Sequence, residues 1–285
     1  MPVFVGLDIG GTKFMVASAT LEGKILRRER ADNCADLECD LQTLERMIGA
    51  VTDGESIAAI GAAIGGPLDW KSGVVSPLHQ PTWQNVPLKR IMEARWGCPF
   101  YVDVDTNVAG LGEYYSSPAP VSKLLYITLS TGMGGGFIVD GKIYRGLDGA
   151  HPEIGHQSIP YRCANPAGMR CECGAPDCLE ALISGNGIRR IYGKPAEELN
   201  PNEWEEVTYN LGQGLRNLAA IYAPDEIRIG GGIATGGGET FIANAAQVMR
   251  DHLKLVPAPR VSLSRLGYDT ALVGAVSIAI HGLFE

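Results

Sequence analysis

The chain has 285 residues, room for one large domain or two smaller ones, and is 45% hydrophobic and 20% charged, the mix of a globular protein with a sizeable core. Its formal net charge is −8, and its basic residues form no arm or stripe, so nucleic acid is not expected as a partner. The opening MPVFVGLDIG lacks the pattern of a secretory leader, and no apolar run approaches the roughly 20 residues of a bilayer span, so a cytoplasmic setting with no membrane contact is expected.

Residues 3–8 (VFVGLD) read as a buried strand, Gly10-Gly11 as a turn, and Lys13 to Thr20 as a second strand. Leu41, Leu44, Met47, Ile48 and Val51 recur at helical spacing and predict a helix over 40–53. Ile57 to Ile64 is another buried strand, ending at Gly65-Gly66-Pro67, a sharp turn signal. A polar loop over 69–86 leads to a helix over 87–96 that opens on proline, then a strand over 99–105 and a helix over 106–115. The Ser-Ser-Pro-Ala-Pro stretch suits a domain boundary, giving a small α/β domain over 1–115 and a larger one over 116–285. The C-terminal stretch, about 270–285, is expected to pack back on the first domain.

The second half opens on a strand over 124–128. The segment STGMGGGFIVDGKIYRG then reads as strand, glycine turn, strand, turn, strand. Residues 151–180 look irregular and hold a His and Cys cluster. Trp204, Val207, Leu211, Leu215, Leu218 and Ile221 predict a helix over 203–223. A short strand over 226–229 runs into Gly230-Gly231-Gly232, and helices over 240–255 and 270–283 close the chain. Each half thus opens with an apolar strand, a Gly-Thr turn and another strand.

Three glycine turns could meet phosphates or a nucleotide. In Asp8-Ile9-Gly10-Gly11-Thr12-Lys13 the glycine pair lets backbone N–H groups close on a phosphate where a Cβ would obstruct. Thr12 offers a hydroxyl, Lys13 a cation, and Asp8 a hard oxygen for Mg²⁺ through water. An ordinary β-hairpin is the plain alternative. Ser130-Thr131-Gly132-Met133-Gly134 repeats this chemistry, and Gly231-Gly232 would let a flat adenine approach the backbone. Neither a P-loop nor a dinucleotide fingerprint occurs.

Two further features carry chemistry. Cys171, Cys173 and Cys178, with His156 fifteen residues earlier, supply a Cys₃His set suited to a closed structural zinc site. Reduced loop cysteines are the alternative, and Cys163 is a possible competing ligand. Cys34, Cys39 and Cys98 are scattered. Asp105 ends a strand and precedes a helix, so it is either a helix cap or a carboxylate poised in the field of helical N–H groups. Glu153 and Glu180 flank the cysteine cluster and could accept hydrogen bonds from the hydroxyls of a ligand, or simply be solvated.

GLDIGGTK at 6–13, GGPLD at 65–69, PTWQNVPL at 81–88, DVDTNVAGLGE at 103–113, STGMGGGFIVDGKIYRG at 130–146, HPEIGH at 151–156 and CECGAPDCLE at 171–180 together resemble the ROK family, and more narrowly its glucokinase-like branch. The resemblance runs from about Val3 to Gly274, and its last two pieces are highly specific together. It implies a two-domain actin-like (ribonuclease-H-like) α/β sugar-kinase fold with a cleft between the domains and a zinc-bound loop. It also implies ATP, Mg²⁺ and a small hexose as ligands, and a homodimer. Carried over residue by residue, Asp105 matches the catalytic base. Gly66, Asp105, Glu153, His156 and Glu180 match sugar-contacting positions. Asp8, Gly10, Gly11, Thr12 and Lys13 match the first phosphate motif, Thr131, Gly132 and Gly134 the second, and Gly231 and Gly232 the adenosine motif. His156, Cys171, Cys173 and Cys178 match the zinc ligands.

Three departures stand out. Val104 replaces the family's asparagine before the base, and His151-Pro152 replaces Ala-Gly, a variant associated with fructokinase-like members. Asp177 replaces the glycine before the last zinc cysteine. The expected activity is ATP-dependent phosphorylation of glucose, with fructose or an N-acetylhexosamine as alternative acceptors. A non-catalytic sugar sensor is disfavoured by Lys13 and Asp105. A repressor is disfavoured because the first phosphate motif already begins at Asp8, leaving no room ahead of it for a DNA-binding module.

Overall fold

In the computed structural model, which describes residues 1–283, the chain forms two compact α/β units. The first comprises Met1–Ser117, Gly141–Ala150 and the C-terminal stretch from Asp269; the second comprises Pro118–Asp140 and His151–Tyr268. Residues 284–285 of the expected C-terminal stretch lie outside the described residues.

In the first unit β1 (Val3–Ile9), β2 (Lys13–Ala19), β3 (Ile25–Asp32), β4 (Ile57–Ile64) and β5 (Phe100–Val104) form one sheet in the order β3-β2-β1-β4-β5. The β1–β2 pair is antiparallel, while β1, β4 and β5 run parallel. The parallel strands are almost wholly apolar because both faces are covered. On one face lie α1 (Leu37–Thr52), whose Leu44, Met47, Ile48 and Val51 are buried, and α2 (Leu88–Trp96), whose Leu88 and Met92 join the same core. Asp36 caps α1 by accepting from the Cys39 N–H, and Asp53 closes it in the left-handed region. The other face takes the C-terminal helix Thr270–His281, which packs on β1, β4 and the helix α3 (Asp105–Tyr115). Gly274 allows that last contact: a Cβ there would run into the Val108 carbonyl. His281 stacks on Tyr115 with ring centroids 4.0 Å apart, as a packing residue.

Two readings of this unit need correction. Cys34 and Cys39, scattered in the sequence, are joined by a disulfide that ties the segment before α1 to the helix's first turn. The segment expected as loop over 69–86 holds short antiparallel strands at Leu68–Asp69, Val74–Val75 and Val86–Pro87. Trp83 within it is fully buried and donates its indole N–H to Asp40 at 2.9 Å, so it is core.

In the second unit β6 (Lys123–Leu129), β7 (Met133–Val139), β8 (Glu226–Gly230) and β9 (Arg260–Leu263) run in the order β7-β6-β8-β9. Against them pack α6 (Pro201–Tyr222) and α7 (Gly232–His252). Asn200 and Glu203 form a capping box that starts α6, with Pro201 in its first turn. Two short helices, α4 (Leu179–Ile183) and α5 (Gly185–Tyr192), meet at Ser184, whose hydroxyl caps α5 by accepting from the Gly187 N–H. Among the described residues no helix is long and apolar enough to cross a membrane.

Candidate active site and metal centre

The first glycine turn lies between β1 and β2. The Gly10 N–H bonds the Lys13 carbonyl at 3.1 Å, and Thr12, Gly11 and Lys13 are exposed at its tip. Two outside contacts hold it: the Asn33 N–H donates to the Thr12 carbonyl at 3.0 Å, and the Gln80 amide donates to the Gly10 carbonyl at 3.2 Å. Asp8 is half-buried at the end of β1. Desolvation, reinforced by the negative charge of Asp105 and offset in part by Lys13, pushes its carboxyl up to about 7. Asp105 is therefore an electrostatic neighbour of Asp8, at the foot of the first glycine turn.

Asp105 is exposed and is the first residue of α3; the cap position belongs to Val104, which makes no side-chain cap bond. Its Oδ1 accepts from the Thr106 N–H at 2.7 Å. Gly66 lies next to Val104: a Cβ at Gly66 would sit 3.7 Å from the valine's Cγ2. The turn after β4 thus meets the end of β5.

In the second unit Ser130 and Thr131 form the tip of the second glycine turn, closed by a Ser130 N–H to Gly132 carbonyl bond of 2.9 Å. Gly185 and Asn186 donate their N–H groups to the Ser130 and Thr131 carbonyls. Gly134 lies inside β7, paired with Thr128 and away from the tip. Gly231 precedes α7 with φ 92°, and a Cβ there would meet the Leu129 carbonyl, so the strand-to-helix turn requires glycine. Thr131 and Gly232 line one cavity of about 430 Å³ together with Arg189, Glu197 and Trp204. The structure therefore brings the second and third glycine turns onto one concavity, with the α7 N-terminus facing it. Arg189 and Glu197 carried no sequence signal, because their segment shows neither clear periodicity nor a motif.

The Cys₃His group is assembled as the spacing predicted. Ligand atoms of His156, Cys171, Cys173 and Cys178 all lie within 4.8 Å of one another. His156 Nδ1 is 3.3 Å from Cys171 Sγ, and Cys173 Sγ is 3.3 Å from Cys178 Sγ. Three thiols and an imidazole converging in a loop of little apolar surface are the donor set of a structural zinc site, and the residues fit that ion. Cys163 is outside the group and packs against the core of the unit. Asp177 accepts from the Ser158 hydroxyl at 2.8 Å, so the departure at that position ties the cysteine loop to the segment that follows His156.

Both flanking glutamates connect to these features. Glu153 is exposed, 3.6 Å from His151 Nε2 and 3.8 Å from His156 Nε2, so the ring that turns Nδ1 toward Cys171 turns its other nitrogen toward Glu153. Glu180 Oε2 accepts from the Met133 N–H at 2.9 Å, tying the zinc loop to the strand that leaves the second glycine turn.

Paired α/β units, each opening on a glycine-turned antiparallel strand pair, define a phosphotransferase of the actin-like sugar-kinase fold. The crystal structure of a ROK hexokinase from Thermus thermophilus superposes with a TM-score of 0.85 at 29% identity, covering 96% of this chain and 97% of that one. A ROK family glucokinase from Streptomyces griseus, solved in complex with glucose and AMPPNP, gives a TM-score of 0.78 at 27% identity over 98% of this chain and 100% of that one. A fructokinase from Zymomonas mobilis is 32% identical over 296 residues, which is 96% of this chain and 95% of that protein. The ROK family model matches residues 4–281, and the chain belongs to the ROK family.

Proposed function

We propose that the protein is an ATP-dependent hexose kinase that transfers the γ-phosphoryl group to a hydroxyl of glucose, with fructose the main competing acceptor. The observation that carries this reading is the placement of Asp105 at the start of α3, where its charge is felt by Asp8 beside the phosphate turn. Phosphoryl transfer asks for in-line positioning, charge neutralisation and an acceptor for the hydroxyl proton. Thr12 and Lys13 supply a hydroxyl and a cation in the first unit. The Thr131 turn and the α7 N-terminus supply backbone donors in the second, where the 430 Å³ cavity is lined by groups suited to a nucleoside. Asp105 would orient the sugar hydroxyl and take its proton as the bond to phosphorus forms.

Asp8 would hold Mg²⁺, whose preference for hard oxygen ligands suits a carboxylate in a negative field; the ion would neutralise phosphate charge. The zinc is assigned a structural role, holding Glu153 and Glu180 at the sugar. Glucose is favoured by the Trp83-to-Leu88 segment. Val104 and His151-Pro152, together with the similarity to a fructokinase, keep fructose in view. A homodimer in the cytoplasm completes the proposal.

Asp105→Asn tests it. Asparagine keeps the shape and can still orient a hydroxyl, but cannot accept the proton. Turnover should fall by on the order of 10²–10⁴ with KM nearly unchanged and melting temperature preserved. A side chain that served only to accept the Thr106 N–H in the first turn of α3 would leave turnover near normal, since the Asn amide oxygen can accept the same bond. Near-normal turnover would remove Asp105 from the chemistry.

A further inference from the structure

Two residues before Asp105, Asp103 is buried at the end of β5, only 1% exposed. A carboxylate in such a place requires a partner, because its desolvation is costly. Its Oδ1 accepts from the Asn107 amide at 2.9 Å, and its Oδ2 is paired with the Arg145 guanidinium. Arg145 comes from the segment Gly141–Ala150, which joins the first unit although the chain on both sides of it belongs to the second. Its guanidinium carbon lies 3.9 Å from the ring centroid of Trp70, and its side chain is 14% exposed. Trp70 in turn abuts Gly149, where a Cβ would come within 3.1 Å of the indole nitrogen.

The carboxylate of Asp103 thus ties the end of β5 to the first turn of α3, across the span 103–107 that contains Asp105. Arg145 supplies the opposing charge and is itself packed over the face of Trp70, a combination of ion pair and aromatic contact that arginine's planar fork suits and lysine's ammonium does not reproduce. We infer that Arg145 is a positioning residue: acting through Asp103, it sets the direction in which α3 leaves the strand and hence where the Asp105 carboxylate is held. This rests on the reading of Asp105 as the base. Neither Arg145 nor Asp103 is given contact with sugar or nucleotide.

A double-mutant cycle on the full-length protein tests this. Arg145→Gln should lower kcat by roughly 10- to 100-fold, the scale of an ångström-sized misplacement, with the KM for ATP within about twofold of wild type. It should also lower the melting temperature, because Asp103 is left buried without its countercharge. Asp103→Asn/Arg145→Gln no longer buries a charge, so stability should return while turnover does not. In an Asp105→Asn background, Arg145→Gln should lower turnover little further, since the group it positions is already lost. Arg145→Lys keeps the charge and the fold, and is the variant to read if Arg145→Gln does not purify; its kcat should fall while its melting temperature stays near wild type. A wild-type kcat in Arg145→Gln or Arg145→Lys overturns the proposal. So does a kcat that recovers together with stability in the double variant, which would make the ion pair a strap alone. A full, multiplicative loss in the Asp105→Asn background also overturns it. Normal turnover of Asp105→Asn by itself would instead sink the base assignment, a failure distinct from the others.

Discussion

At the residue scale the most informative side chain is Asp8. Its carboxyl holds its proton up to about 7 in the folded protein, against an ordinary value of 3.8, because burial and then the charge of Asp105 disfavour the anion. The folded state therefore binds more protons than the unfolded chain between these two values, and stability falls as pH rises through that window. Asp8→Asn removes this dependence. In metal-free protein, the melting temperature of the variant relative to wild type should climb as pH is raised from about 4 to about 7 and level off above. A difference independent of pH would show that Asp8 titrates normally. The tight turn at Gly231, the turn tip at Thr131 and the grouping of His156 with Cys171, Cys173 and Cys178 were legible directly, because they depend on residue type and local spacing. Arg145 could not: its partner Asp103 is 42 positions away, and nothing local distinguishes a buried arginine from a solvated one.

At the element scale the amphipathic helices and buried strands follow the sequence closely, since side-chain periodicity decides which face is covered. The elements that sequence reasoning missed depend on tertiary partners. β3 reads ILRRERAD, with charges at most positions, and is a strand because β2 pairs with it along its length. Gly185–Tyr192 opens on Gly-Asn-Gly, a turn signal, yet is helical because Ser184 caps it and the Ser130 and Thr131 carbonyls take its first N–H groups. α7 was expected over 240–255 and begins at Gly232, since its glycine-rich first turns, with an irregular Gly238, hide the period. The zinc loop makes the sharpest element-scale prediction. Protein purified without chelator should carry one zinc per chain. Cys173→Ala should lose the metal, lower the melting temperature by on the order of 10 °C and weaken sugar binding, because the loop positions Glu153 and Glu180. Metal analysis that finds no zinc in the wild-type protein would contradict the assignment.

At the scale of the whole molecule, the residues of the proposed chemistry are divided between the two units. The first holds Asp8, the Gly10–Lys13 turn and Asp105; the second holds the cavity of about 430 Å³, the Cys₃His group and the two glutamates. The return of Gly141–Ala150 to the first unit adds Arg145 to the unit that holds Asp105, and no composition shift in the sequence marks that return. The central claim is that these parts together phosphorylate a hexose. Its most direct test measures ADP release by the purified protein with ATP and Mg²⁺ across glucose, fructose, mannose, N-acetylglucosamine and N-acetylmannosamine, with sugar phosphate followed in the same samples. The account predicts rapid, equimolar ADP and sugar phosphate with glucose, a slower reaction with fructose, and only background with water. ADP release no faster with any of these sugars than with water would contradict it.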